Sequence, residues 1–154
     1  MTDPNPPTID LNTLLPSVID AVRAGGTLLR DEFHRPQGPR GAGSKADVDE
    51  EIENLLRNRL LRLLPAIWHG EETAWMPAAE GYGEWCWLVD PHDGTSAFLR
   101  GFRGSAVSVA LLHRAVPVLG VVHAPLSPDR GDDLIAWAEG CGPVMRNGVA
   151  VERS

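Results

Sequence analysis

The chain has 154 residues, enough for one domain whose core buries about 70% of the extended chain's surface. A hydrophobic share of 43%, with 13 prolines and 16 glycines, is that of a folded chain and not of a low-complexity one. Fourteen lysines and arginines against 21 acidic residues, a formal net charge of -7, argue against a nucleic-acid partner, which needs clustered basic groups.

No stretch approaches the roughly 20 apolar residues that cross a bilayer, and Met1-Thr2-Asp3-Pro4 does not open a basic-then-apolar leader. The expectation is a cytoplasmic protein with no membrane partner. Two cysteines, Cys86 and Cys141, form neither a disulfide framework nor a metal-ligand spacing and read as reduced thiols. A search for repeats at periods of 20–50 residues finds none.

Residues 1–11, rich in proline, read as a flexible lead-in, and residues 12–154 as a single domain. From Asn12, Leu15, Val18, Val22, Gly25 or Gly26, Leu29 and Phe33 recur at steps of three and four, predicting a helix with one buried stripe and Pro16 in its first turn. The Gly25-Gly26 pair lowers helix propensity and implies close approach by a second helix. Residues 35–43, rich in glycine, stop this helix. They read as a flexible loop, because no Gly-Lys-Ser/Thr ending supports phosphate binding.

Ser44-Lys45-Ala46-Asp47 opens a second helix, with Val48, Ile52, Leu55, Leu56, Leu60 and Leu63 as its buried stripe before Pro65. Asp47, three residues after Ser44, fits a helix-capping pair. Ala66-Ile67-Trp68-His69 reads as a short strand leading to Gly70-Glu71-Glu72-Thr73, and residues 74–84 as a surface loop.

Trp85-Cys86-Trp87-Leu88-Val89 reads as a strand buried on both faces, and Asp90-Pro91-His92-Asp93-Gly94 as the turn that ends it. Two hard oxygen donors, Asp90 and Asp93, then face one space. Thr95 or Ser96 caps a short helix running to about Leu99, whose backbone N–H groups point back at the carboxylates. If the two strands end on the same edge, Glu71 joins Asp90 and Asp93 in a three-carboxylate cluster able to hold Mg²⁺. Each of these turns, taken alone, also reads as a capped or solvated turn.

Ser105 to Leu112 and Val116 to His123 read as a hairpin through Arg114-Ala115. Leu134 to Trp137 and Pro143 to Met145 form a further pair, and Asn147-Gly148 is a tight-turn signal before Val149 and Val151. His34, His69, His113 and His123 have no mutual ligand spacing and read as surface or strand residues. Arg100 and Arg103 read as turn residues that can also rim an anionic substrate.

Gly70-Glu71-Glu72 and Asp90-Pro91-His92-Asp93-Gly94-Thr95, with Phe98, resemble the two signature motifs of the inositol monophosphatase family. Ser44-Lys45-Ala46-Asp47 resembles its Thr-x-x-Asp element, and the likeness runs from about residue 14 to residue 154. The resemblance implies an α+β fold with two packed N-terminal helices on a mixed, mostly antiparallel sheet, corresponding to the N-terminal half of that family's fold. It also implies a Mg²⁺-dependent phosphomonoesterase, with Mn²⁺ as an alternative ion, acting on a small-molecule phosphate ester.

Carried over by position, Glu71, Asp90 and Asp93 are side-chain metal ligands and His92 contributes its backbone carbonyl. Asp47 and Thr95 position and deprotonate the attacking water, while Gly94, Thr95 and Ser96 offer backbone N–H groups to the phosphate. The family often dimerises, which makes a homodimer one expectation. Its members also have a second half, with a further metal-binding Asp in a Trp-Asp element and most substrate contacts, that this sequence does not contain. His92 stands where an aliphatic residue is usual. The alternative to an enzyme is an inactive half-enzyme that keeps a metal and phosphate pocket, and a third reading is a fragment without a stable fold.

Overall fold

A computed structural model describes residues 7–152, so the first six positions of the expected lead-in lie outside the described residues. Helix α1 runs from Leu11 to Phe33 and is capped by Asp10, whose carboxylate accepts the Asn12 N–H at 3.0 Å and the Thr13 hydroxyl at 2.8 Å. Because the helix starts at Leu11, Pro16 falls in the second turn and not the first. It removes a bond to the Asn12 carbonyl, and Asn12 is exposed to solvent there.

A two-stranded hairpin, β1 (Gly41–Ala42) with β2 (Lys45–Ala46), leads into α2, Asp47–Leu63. The N-cap of α2 is Ala46 and not Ser44, so the expected Ser44–Asp47 capping pair does not form; Asp49, in the first turn, accepts the Ala46 N–H instead, at 3.3 Å. Arg40 anchors the preceding loop through the buried Glu32 on α1 and through Glu51 on α2.

Seven strands form one sheet among the described residues. In spatial and chain order these are β3 (Ile67–His69), β4 (Trp85–Asp93), β5 (Ala106–His113), β6 (Val116–Ser127), β7 (Gly131–Ala138), β8 (Met145–Arg146) and β9 (Val149–Ala150). Only β3 and β4 are parallel, and the remaining pairs are antiparallel. The Arg114-Ala115 and Asn147-Gly148 turns take positive φ at both central residues, the turn that matches strand twist. The fold is therefore α+β, as the sequence implies.

Both helices pack on one face of the sheet. Val18, Val22 and Leu29 of α1 and Ile52, Leu56 and Leu60 of α2 meet Trp87, Val89, Val107, Val109, Leu111 and Val121 in one fully buried core. Gly25 leaves room for Ile52 of α2, since a Cβ there would lie 3.1 Å from its Cγ2, and Gly26 leaves room for the ring of His123 on β6. The close approach expected of the glycine pair is thus made by a helix at one residue and by a strand at the next.

Strand β4 is not buried on both faces. Trp85, Trp87 and Val89 point into the core, whereas Leu88 is 45% exposed. The cross-strand row Asp90, Ser108, Val122, Ile135 runs along the face that the helices leave open. No described helix is long and apolar enough to cross a membrane.

Candidate functional site

The site lies where β3, β4, α2 and α3 (Thr95–Leu99) meet. The parallel register pairs His69 with Leu88, so the residue two beyond His69, Glu71, comes level with Asp90. Hydrogen bonding to the Asp90 carboxyl, with burial and the charges of Asp90, Glu72 and Asp49, pushes the Glu71 carboxyl up to about 7. Beside the pair is a cleft of about 370 Å³ lined by His69, Glu71, Leu88, Asp90, Ser108 and Ala110 on the open face of the sheet.

The expected turn after Asp90 is a bulge. Strand β4 continues through Pro91 to Asp93, and one extra residue enters between the pairs Asp90–Ser108 and Asp93–Ala106. Pro91 is accommodated because the ladder is already interrupted there. Asp90 Oδ1 accepts the His92 N–H at 3.1 Å, which bends the backbone towards Gly94. Gly94, at φ 92°, is the N-cap of α3; the cap is neither Thr95 nor Ser96.

Asp93 is exposed at the end of this bulge. Among the described residues, no three or more His, Cys, Asp or Glu side chains group closely enough to hold a metal ion, so the expected cluster of Glu71, Asp90 and Asp93 is not drawn together in this structure. The extra bulge residue brings Asp93 back onto the sheet face of Asp90, since their partners Ala106 and Ser108 lie two residues apart on β5. The donor set still suits a hard cation: Glu71 and Asp90 are carboxylate oxygen donors level with one another at the mouth of the same cleft. The His92 carbonyl, expected as a ligand, accepts the Thr95 hydroxyl at 3.1 Å.

The partner of Thr95 is Asp49, not Asp47. Thr95 Oγ1 donates to Asp49 Oδ2 at 3.2 Å, and Asp49 is 3% exposed, whereas Asp47 is exposed on the first turn of α2. The reason is helical geometry. Asp49 and Glu53 flank the buried positions Val48, Ile52 and Leu56, and Asp47 lies on the opposite side. Gly94, Thr95 and Ser96 stand together at the start of α3, with Ser96 exposed and Thr95 half-buried.

Two further residues escaped the sequence reading. Glu53, fully buried, accepts the backbone N–H groups of Glu71 at 2.6 Å, Glu72 at 2.8 Å and Thr73 at 2.5 Å, and so shapes the loop that carries Glu71. Its carboxylate fills the space a side chain at residue 70 would need, which is why Gly70 is a glycine: a Cβ would lie 2.5 Å from Glu53 Cδ. Ser105, just before β5, contacts the His92 ring. The available signal for Glu53 was a carboxylate set inside an apolar helical stripe.

The description "Inositol monophosphatase family" is that of the family model matching residues 10–153. Inositol monophosphatase 1 of Solanum lycopersicum is 32% identical over 152 residues, covering 94% of this chain and 53% of that protein. The fructose-1,6-bisphosphatase/inositol-1-monophosphatase of Aquifex aeolicus is 34% identical over 141 residues, covering 86% and 49%. The solved inositol monophosphatase of Anabaena (Nostoc) shares the fold with a TM-score of 0.77 at 24% identity, covering 95% of this chain and 51% of that one. The chain thus spans about half the length of the relatives it matches.

Proposed function

Because the chain belongs to the inositol monophosphatase family, we propose that it carries the metal and phosphate site of a Mg²⁺-dependent phosphomonoesterase acting on a small-molecule phosphate ester. One observation carries this reading. Thr95, at the first position of α3, donates to the buried Asp49 at 3.2 Å, and the bulge that leads into α3 begins at Asp90, which lines one cleft with Glu71.

Glu71, Asp90 and Asp93 would hold the ion, Asp93 sharing the sheet face of Asp90 across the bulge. When bound, Mg²⁺ polarises the phosphate ester and acidifies water. The chain's own residues supply orientation and a proton acceptor: Thr95 Oγ1 accepts a hydrogen bond from a water while donating its own proton to Asp49 Oδ2, which leaves that water's lone pair free to face phosphorus. Backbone N–H groups of Gly94, Thr95 and Ser96 are the donors for the phosphate oxygens.

Substrate candidates are an inositol phosphate, a nucleotide 3′-phosphate or another sugar or polyol phosphate. The names of relatives span this range, since a further one, from Aggregatibacter actinomycetemcomitans, is called a 3′(2′),5′-bisphosphate nucleotidase. The experiment is release of inorganic phosphate from a panel of these esters with and without Mg²⁺. Release from at least one ester only with the ion supports the reading. Binding of Mg²⁺ without release from any ester favours a non-catalytic metal- and phosphate-binding pocket instead.

A further inference from the structure

The Asp49 carboxylate is held from its other side by a chain of two buried groups. His92 Nδ1 lies 2.6 Å from Asp49 Oδ1, and His92 Nε2 lies 2.8 Å from Ser105 Oγ. Asp49, His92 and Ser105 are each less than 5% exposed, and Phe98 packs edge-on against the imidazole at 4.5 Å between ring centres. Two other elements therefore reach the Asp49 carboxylate of α2, β4 through His92 and α3 through Thr95, and Ser105, before β5, holds the far side of the His92 ring.

We propose that His92 is a positioning residue for the Asp49–Thr95 pair: its Nδ1–H fixes Asp49 Oδ1, so that Oδ2 faces the Thr95 hydroxyl, and Ser105 fixes the imidazole by donating to Nε2. This rests on the phosphatase reading for its consequence in turnover, but not for its geometry. The Thr95 hydroxyl has one proton and two acceptors in reach, Asp49 Oδ2 at 3.2 Å and the His92 carbonyl at 3.1 Å. A carboxylate free to rotate would lose that competition part of the time. With Oδ1 tied to His92 and Oδ2 also accepting the Ala46 N–H, the plane of the carboxylate is set from two directions. A carboxylate at Nδ1 demands a donor there, which leaves Nε2 to face the Ser105 hydroxyl.

The test compares the full chain with His92→Leu, His92→Asn and Ser105→Ala. Asn can place an N–H near the position of Nδ1, so it keeps the bond to Asp49 and gives up only the one to Ser105. Two readouts are taken, initial rates with Mg²⁺ on the best ester of the panel and the carbon-13 resonance of the Asp49 carboxyl. His92→Leu should lower kcat by about tenfold to a hundredfold with KM changed by less than about threefold, and His92→Asn should recover most of the loss.

The Asp49 resonance should move in His92→Leu, return in His92→Asn and move less in Ser105→Ala. If His92→Leu does not fold, Ser105→Ala carries the comparison, and an Asp49 resonance unmoved in Ser105→Ala overturns the proposal. Variants whose kcat follows melting temperature alone, with no recovery in His92→Asn, also overturn it. If the parent chain releases no phosphate, the phosphatase reading fails by itself. The carboxyl resonance then decides the positioning role: unmoved by His92→Leu, the role is excluded.

Discussion

The carboxylate of Glu53 accepts the backbone N–H of Glu71 at 2.6 Å, across 18 residues of chain, and thereby ties a helix core position to a carboxylate of the site. The same carboxylate takes two more amides, from Glu72 and Thr73. Glu53→Ala leaves all three donors without their acceptor, at a cost of about 2–4 kcal/mol. Melting temperature should then fall by about 5–15 °C in a chain of this size. Amide exchange at residues 71–73 should accelerate more than at the core strands. Gly70→Ala should behave alike, because its Cβ would displace the Glu53 carboxylate.

What the sequence made legible was whatever depends on local rules. Turn chemistry located Arg114-Ala115 and Asn147-Gly148, and two apolar runs ending in carboxylates placed Glu71 level with Asp90. The Asp49 partner of Thr95 was not legible because motif spacing was counted from Ser44. The N-cap is Ala46, and a shift of two positions, from Asp47 to Asp49, turns a side chain by about 200°, from the solvent side to the core side. The path from Asp90 to Asp93 was not legible, because Pro91 reads as a turn and not as part of a bulge, and only the β5 register discloses the extra residue. Glu53 and Ser105 depend on contacts across 18 and 13 residues that no local pattern encodes.

Glu71 gives a pH dependence of definite sign. Its carboxyl titrates near 7 in the folded chain against an ordinary 4.5, so the folded state holds more protons between those values and stability falls as pH rises from 4.5 to about 7. Glu71→Gln should flatten this decline, measured as melting temperature against pH. Mg²⁺ competes with the same proton, so the melting-temperature gain from millimolar Mg²⁺ should be larger at pH 8 than at pH 5 and largely absent in Asp90→Asn.

The open face of the sheet predicts association. Leu88, Val122 and Ile135 are 45%, 38% and 37% exposed, and they lie on the face opposite the helices. An apolar strip of this kind favours self-association and binds hydrophobic dyes. Sedimentation of the isolated chain should show concentration-dependent assembly. Val122→Lys with Ile135→Lys should reduce both assembly and dye binding without lowering helix content.

The central claim is that Asp49, and not Asp47, serves Thr95 in a Mg²⁺-dependent phosphatase site. The direct measurement is the rate of Mg²⁺-dependent phosphate release by the parent chain, Asp49→Asn and Asp47→Asn, side by side on the best ester of the panel. Loss of a proton acceptor at the water costs about 10²–10⁴-fold, so Asp49→Asn should lose that much while keeping Mg²⁺ binding. Asp47→Asn, exposed on the first helical turn, should stay within about threefold of the parent and lose only about 0.3–1 kcal/mol of stability through the helix dipole. A reversed order, with Asp47→Asn inactive and Asp49→Asn active, would contradict the account, as would a parent chain that releases no phosphate from any ester in the presence of Mg²⁺.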